Sequence, residues 1–363
     1  MRIAQVAPPF ETVPPSAYGG TERVVASLTE ALVRRDHDVT LFAAGDSTTS
    51  AHLIPTVEEA LWHANPPLQD LQPFWTLTLD RLWAHVAEFD IVHSHLDFWG
   101  YPLARHGGVP VITTLHGRLD LPELQPVYRR FDDVPLVSIS DAQRQPVPWA
   151  NWVATVYHGI ELAEYTFNPK PGRYLAFLGR ISPEKGLDTA IRVAKRAGIR
   201  LRVAARRPLR IRGDPNVRRD WEHYHNEVVP LIEHHDVTMV GEVAGPTKDR
   251  FLRNALALIF PIRWPEPFGL VMAEALACGT PVVALNQGSV PEVIQDGVTG
   301  FICETEDELV DAVKRVPELD RRVCREEAER RFSPRAMATA YEAVYEQVIS
   351  SRAPTLTVAN AGV

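Results

Sequence analysis

Cysteine is scarce in this sequence. Cys278, Cys303 and Cys324 are the only three, an odd number, far apart and without CxxC spacing. That argues against a disulfide scaffold and the common zinc sites, and fits a reducing compartment. No run of about eighteen apolar residues occurs, so no transmembrane helix is expected. The opening MRIAQVAPPF reads as a first strand, too short and too soon interrupted for a signal peptide, which makes a cytoplasmic protein the expectation. Basic excess is missing too: the net charge of −8 gives no overall pull toward nucleic acid or anionic membrane. The G-x-G-x-x-G fingerprint of dinucleotide-binding dehydrogenases is absent, as is any repeat of solenoid period.

What is present is a globular composition, 45% apolar and 23% charged over 363 residues, enough for two domains. Short apolar, β-branched runs alternate with amphipathic stretches, the pattern of parallel strands joined by helices. The first half offers RIAQVAP, DVTLFAAG, DIVHSHL, PVITTLHG, PLVSIS and WVATVYHG. The second offers YLAFLGRI, LRVAAR, VTMVGEV, ALALIFPI, PVVALN and GFICE. Between them, residues 161–173 carry Pro169, Pro171 and Gly172, a natural boundary. The expected organisation is an α/β protein with two doubly wound, Rossmann-like parallel sheets. One domain covers residues 1–165 and a second 172–332; a final helix spans 333–351, capped by Ser333 with Pro334 in its first turn, and a disordered tail covers 352–363. Helices are also expected over 21–35, over KGLDTAIRVAKRAG and over EPFGLVMAEALACG, the last two ending at glycine.

Ligands of open α/β sheets bind beyond the carboxyl ends of the strands, so the segments that follow strands carry the interest. In PEPFGLVMAEALACG, Gly269 opens a helix whose first amides lack partners and favour a phosphate. Glu266 and Glu274 flank that start, and carboxylates suit the vicinal hydroxyls of a sugar or ribose. The ordinary alternative is an amphipathic helix with two solvated glutamates. Arg180 and Lys185, in LGRISPEKG, suit a diphosphate or are surface charge. Gly19 and Gly20, in YGGTER, could cradle a phosphate, admit a sugar, or form a plain turn. His93, His95 and Asp97 alternate as metal ligands do, but no second cluster completes a site, so a polar cleft lining is preferred and no metal is assigned. His116 and His158 each precede a glycine at a strand end. His116 is the stronger active-site candidate because its strand is central in character. Eight arginines crowd residues 200–219, as a solvated loop or an anionic contact. The DxD of RRDHDV joins a helix to a strand start, away from the cleft, and is set aside as a metal motif.

Taken together these segments resemble the retaining glycosyltransferases of family 4, with the GT-B fold of two domains facing across a cleft. The resemblance runs from YGGTERVV to the final helix, and its most specific stretch is PIRWPEPFGLVMAEALACGTPVVALNQGSVPEVIQDGVTGFI, supported by LGRISPEKGLDTAI. It implies that Glu266 contacts the donor sugar's hydroxyls and Glu274 the nucleotide ribose. Arg180 and Lys185 would bind the donor diphosphate with the amides of Phe268, Gly269 and Leu270. His116 would lie near the donor sugar, Gly19 and Gly20 beside acceptor and phosphate, and the main chain around Gly241 and Val243 along the base. The final helix would cross back to brace the first domain. One departure is AARRPLR, at Arg206, where many relatives have a glycine-containing turn.

The implied reaction moves a hexosyl group from a UDP- or GDP-sugar to an acceptor hydroxyl, with retention and no divalent metal or other cofactor. A GT-B phosphorylase or epimerase and a non-catalytic sugar-nucleotide-binding module are the alternatives. Nucleic acid is not an expected partner. The acceptor (sugar, small molecule or lipid-linked) is not named by any motif. Trp62, Phe74, Trp75 and Trp83 line an acceptor surface or pack into the core. From Leu53 to Asp90 the only Lys or Arg is Arg81, against six Asp and Glu, which suits weak or no membrane contact.

Overall fold

The computed structural model describes residues 1–16, 19–66, 68–208, 215–232 and 236–352. Two sheets, parallel throughout, organise the chain. The first has the order β3-β2-β1-β4-β5-β6-β7 and the second β10-β9-β8-β11-β12-β13. In the first sheet β1 is Arg2–Val6, β2 Asp38–Ala44, β3 His52–Val57, β4 Ile91–Ser94, β5 Val111–Thr114, β6 Leu136–Ser138 and β7 Trp152–Thr155. In the second β8 is Tyr174–Leu178, β9 Arg200–Ala204, β10 Val237–Met239, β11 Ala257–Phe260, β12 Val282–Leu285 and β13 Gly300–Cys303. Strands β4, β5 and β11 are buried at every position, as central strands covered on both faces must be.

Each sheet has one place where the strand order reverses, between β1 and β4 in the first and between β8 and β11 in the second. At such a point the following loops diverge to opposite faces and leave a crevice. The loops that leave these four strands carry Gly19 and Gly20, His95, Arg180 and Lys185, and Glu266 to Gly269. The topology therefore gathers these candidates at the two crevices, whereas His116 follows β5 and Gly241 and Val243 follow β10.

Three local departures from the sequence reading have physical causes. Strand β3 pairs with β2 from His52 to Val57, although HLIPTV gave no strand signal. It lies at the sheet edge, where Pro55 is tolerated and half-exposed polar positions blur the pattern. The helix expected over EPFGLVMAEALACG covers only Leu270–Ala277. Gly269 before it is left-handed, with φ 73°, a conformation costly for other residues. Glu266 thus sits on the preceding loop. Arg200 of the basic run opens β9 rather than a loop, and Arg202 lies within the same strand, as expected for LRVAAR. Residues 209–214 of that run, Tyr18 beside the glycine pair and the expected tail from 353 onward lie outside the described residues.

The helix Pro334–Arg352 packs on the first sheet. Met337, Ala338, Tyr341, Val344, Tyr345 and Val348 join one buried cluster with Ile3, Leu28, Leu32, Ile91, Ile112 and Val137. Glu342 adds a polar anchor, accepting from Arg35 at 2.5 Å and meeting His37 at 2.8 Å. Among the described residues no helix is long and apolar enough to cross a membrane.

Candidate active site

The crevice of the second sheet centres on Glu266. The Lys185 ammonium donates to its carboxylate at 2.5 Å, and the Trp264 indole N–H donates to the same oxygen at 2.9 Å. Lys185 also lies 5.5 Å from the Trp264 ring centroid, a cation–π contact. The backbone of Glu266 is pinned from behind, where Ser289 N–H donates to its carbonyl at 2.9 Å. Gly288 makes that approach possible: a Cβ there would fall 2.4 Å from the Glu266 nitrogen. Gly269 stands close by, its would-be Cβ 3.4 Å from Glu266 Cγ. Lys185, Glu266 and the start of the 270–277 helix therefore share one spot, where a cation and unpaired first-turn amides could receive an anion.

Glu274 lies deeper. It is 5% exposed and receives the Lys248 ammonium at 2.6 Å. Burial comes first in raising the Tyr165 hydroxyl above its usual range, and a hydrogen bond to Glu274 adds to it. Neither glutamate is a solvated helix residue, so that alternative fails. Arg180 is engaged elsewhere than on Glu266: its guanidinium reaches Glu184 at 2.5 Å and Asp220 at 3.4 Å. Arg219 shares Glu184 at 3.0 Å. Gly241, left-handed at φ 79°, turns the chain after β10, and Val243 packs on the same core as Leu178, Trp264 and Leu270. Arg206 is exposed past the end of β9.

The first sheet supplies the opposite wall. Gly20 faces Leu270: a Cβ on the glycine would lie 3.6 Å from Leu270 Cδ1. Gly19, at φ 153°, packs against Pro15 and the Glu22 carboxylate, which burial raises above the usual range. Arg118 lies 5.5 Å from the Trp264 ring, on which Lys185 also bears. His116 bonds to His95 at 2.9 Å and stacks on His158 with centroids 5.1 Å apart. His158 in turn meets Phe268 edge-on at 4.9 Å. The histidine wall thus abuts the helix start that carries Gly269. Burial pulls His116 down to about 3, and pulls His93, His95 and His158 well below the usual histidine range. All four rings are neutral near pH 7. The His93 and His95 rings are 4.1 Å apart; they bond to protein groups, as the polar-lining reading expects.

Of the four aromatics in the acceptor segment, Trp75 and Trp83 pack against Val6, Phe42, Leu82 and Val92 in the core. Phe74 is half-buried. Trp62 is 52% exposed and stacks on Phe10 at 5.9 Å, leaving it the one that offers a free face.

Several residues here carried no sequence signal. Glu292 bridges the two halves, accepting from the backbone N–H of Asp141 and Ala142 at 2.7 and 2.8 Å and from the Tyr157 hydroxyl at 3.2 Å. Lys248, Trp264, Asp220 and Gln5 were likewise unassigned. All but Trp264, whose indole bonds to Glu266 two residues on, act through a partner distant in sequence, so local pattern could not expose them.

Comparison with known proteins agrees with the two-sheet architecture. The family model described as Glycosyl transferases group 1 matches residues 161–336, and that described as Glycosyltransferase Family 4 matches residues 18–164. Glycogen synthase of Mycobacterium tuberculosis is 27% identical over 85% of this chain and 83% of its own length. Among solved structures, a glycosyltransferase involved in avilamycin A biosynthesis superposes with a TM-score of 0.74 at 22% identity, covering 96% of this chain and 98% of that one. The Anabaena protein HepE, solved in complex with UDP-glucose, superposes with a TM-score of 0.69 at 17% identity, covering 96% of this chain and 100% of its own. Two parallel-sheet domains, crevices at their switch points and these matches lead to one conclusion: the chain has the GT-B fold, belongs to glycosyltransferase family 4, and is a hexosyltransferase of that type.

Proposed function

We propose that this enzyme transfers a hexosyl group from a UDP- or GDP-sugar to an acceptor hydroxyl, with retention of configuration and without a divalent metal. The observation that carries this reading is the meeting of Lys185, Glu266 and the 270–277 helix start at one switch-point crevice. A relative of the same fold was solved with UDP-glucose, which supports a nucleotide-sugar donor.

In this mechanism the bond between the sugar's anomeric carbon and the diphosphate oxygen breaks, and negative charge develops on the leaving phosphate. Lys185, the amides of Phe268, Gly269 and Leu270, and Arg180 after release from Glu184 stabilise it, as preorganised donors do in an oxyanion hole. Three sources of positive potential take the place a metal would otherwise fill. The acceptor oxygen bonds to the anomeric carbon on the face the phosphate leaves, and its proton passes to a phosphate oxygen. No enzymic nucleophile is required. Glu266 takes the sugar hydroxyls, and Glu274, held by Lys248, takes the ribose. Gly241 and Val243 edge the base; Gly19 and Gly20 leave room for phosphate and acceptor; His116 faces the sugar. Closure of the two halves excludes water.

The test is a screen of UDP- and GDP-sugars for donor hydrolysis and for transfer to sugar acceptors in the presence of EDTA, with anomeric configuration read by NMR. Turnover in EDTA with retained configuration is expected. Loss of activity in EDTA that returns with magnesium, or an inverted product, would overturn the reading.

A further inference from the structure

Behind His116 runs a chain of hydrogen bonds that ends on the final helix. His116 Nε2 meets His95 Nδ1 at 2.9 Å, and His95 Nε2 meets Gln5 Oε1 at 2.9 Å. Gln5 Nε2 reaches the Tyr345 hydroxyl at 3.0 Å, and that hydroxyl lies 2.8 Å from His93 Nδ1. His93 Nε2 meets Thr114 Oγ1 at 2.7 Å, and Thr114 meets the Tyr341 hydroxyl at 2.8 Å. Gln5, His93, His95, Tyr341 and Tyr345 are all fully or nearly fully buried.

The direction of the hydrogens follows from donor–acceptor bookkeeping. Gln5 Oε1 can only accept, so His95 carries its proton on Nε2. The neutral His95 ring then has a bare Nδ1, which accepts from His116 Nε2–H. His116 is left with a bare Nδ1, and that atom is buried with no partner among the described residues. Reversing every bond requires the Gln5 amide to turn over. The reversed chain would put a proton on His116 Nδ1, where it would be a buried N–H without an acceptor, a rare and unfavourable state. The Tyr345 hydroxyl anchors the amide, here accepting from Gln5 Nε2 and giving its hydrogen to His93, while the cost of a buried N–H at His116 Nδ1 sets the direction of the whole chain.

We propose that Tyr345, through Gln5 and His95, fixes the tautomer and ring orientation of His116, so that these three are positioning residues for the donor-sugar contact. With Nε2 committed to His95, Nδ1 is the atom left to accept from a sugar hydroxyl, and donor binding must uncover it, since it is buried here. The functional half of this statement rests on the reading that His116 faces the donor sugar; the tautomer itself does not. The same relay ties the site to the helix 334–352, so undocking that helix would release the ring.

The test is 15N–1H NMR of the full chain labelled at histidine, at pH 7, with His116 assigned by His116→Gln. The wild-type spectrum is expected to show His116 protonated at Nε2 and bare at Nδ1. Tyr345→Phe keeps the packing and removes the hydroxyl. It should give a mixture of His116 tautomers and lower kcat for donor hydrolysis by about 10- to 100-fold, the effect of losing an outer-shell partner that orients a histidine in metal sites. The loss should vanish when His116→Gln is already present. Gln5→Met probes the same relay from the other side if Tyr345→Phe fails to fold. A wild-type His116 protonated at Nδ1, or a single unchanged tautomer in both variants, would overturn the relay. An intact relay in a protein that binds neither UDP nor GDP would overturn the donor-sugar role instead.

Discussion

Lys185 and Glu266, 81 positions apart, meet at 2.5 Å with both side chains largely buried. On the proposed mechanism a donor diphosphate draws Lys185 away from that carboxylate, and the sugar hydroxyls take its place on Glu266. Lys185→Ala is therefore expected to lower kcat by about 10²–10³, the loss typical of one donor to a developing oxyanion. Glu266→Ala should also slow turnover, because it removes the sugar contact. Steady-state donor hydrolysis checks both, and a rate within twofold of wild type for Lys185→Ala would contradict the assignment.

Glu274 and Lys248 form a buried pair, with side chains 6% and 9% exposed. Removing one partner strands a buried charge and costs about 3–5 kcal/mol. Glu274→Ala should lose that much in urea denaturation. The double variant Lys248→Met, Glu274→Leu should recover most of it, since apolar residues of similar volume fit such a site. If Glu274 also holds the ribose, the recovered variant remains weak in nucleotide binding.

Glu292 joins the halves through the amides of Asp141 and Ala142 and the Tyr157 hydroxyl. Glu292→Ala leaves those amides without their acceptor, at about 1–3 kcal/mol if they stay covered. Opening of the cleft relieves this, so the radius of gyration from small-angle scattering should rise and KM for donor should increase. An unchanged scattering curve with unchanged KM would show that the contact does not hold the halves together.

His93, His95, His116 and His158 are buried and neutral, with values pulled below the usual range first by burial. Unfolding restores an ordinary pKa of about 6.5. The unfolded chain therefore binds more protons below that pH, and stability falls as pH drops from about 6.5 toward 3. Between pH 6 and 5 the loss should exceed about 1.4 kcal/mol per unit, one proton's worth. Urea midpoints across that range check it; a flat profile would mean the rings are hydrated.

The parts legible in sequence were those written locally. Strand, loop and helix start follow one another within a few residues around Lys185 and Gly269, so strand pattern, glycine and charge marked the crevice of the second sheet. The parts that were not legible depend on distance or on one backbone angle. Glu292 finds Asp141 across 151 positions and Gln5 finds Tyr345 across 340, and no spacing rule reaches that far. The helix expected from Glu266 onward begins four residues later, at Leu270, after the left-handed turn at Gly269. Arg180 was paired with Lys185 in sequence, yet Glu184, four residues on, and Asp220 from another helix capture it.

Calorimetric titration of UDP and of GDP into the full chain in EDTA, for wild type, Lys185→Ala and Arg180→Ala, tests the diphosphate site most directly. The expected result is metal-free binding of at least one nucleotide that weakens by about tenfold or more in each variant, as loss of a charge-assisted contact worth about 1.5–3 kcal/mol requires. Equal affinity in all three proteins, or binding only after magnesium is restored, would contradict it.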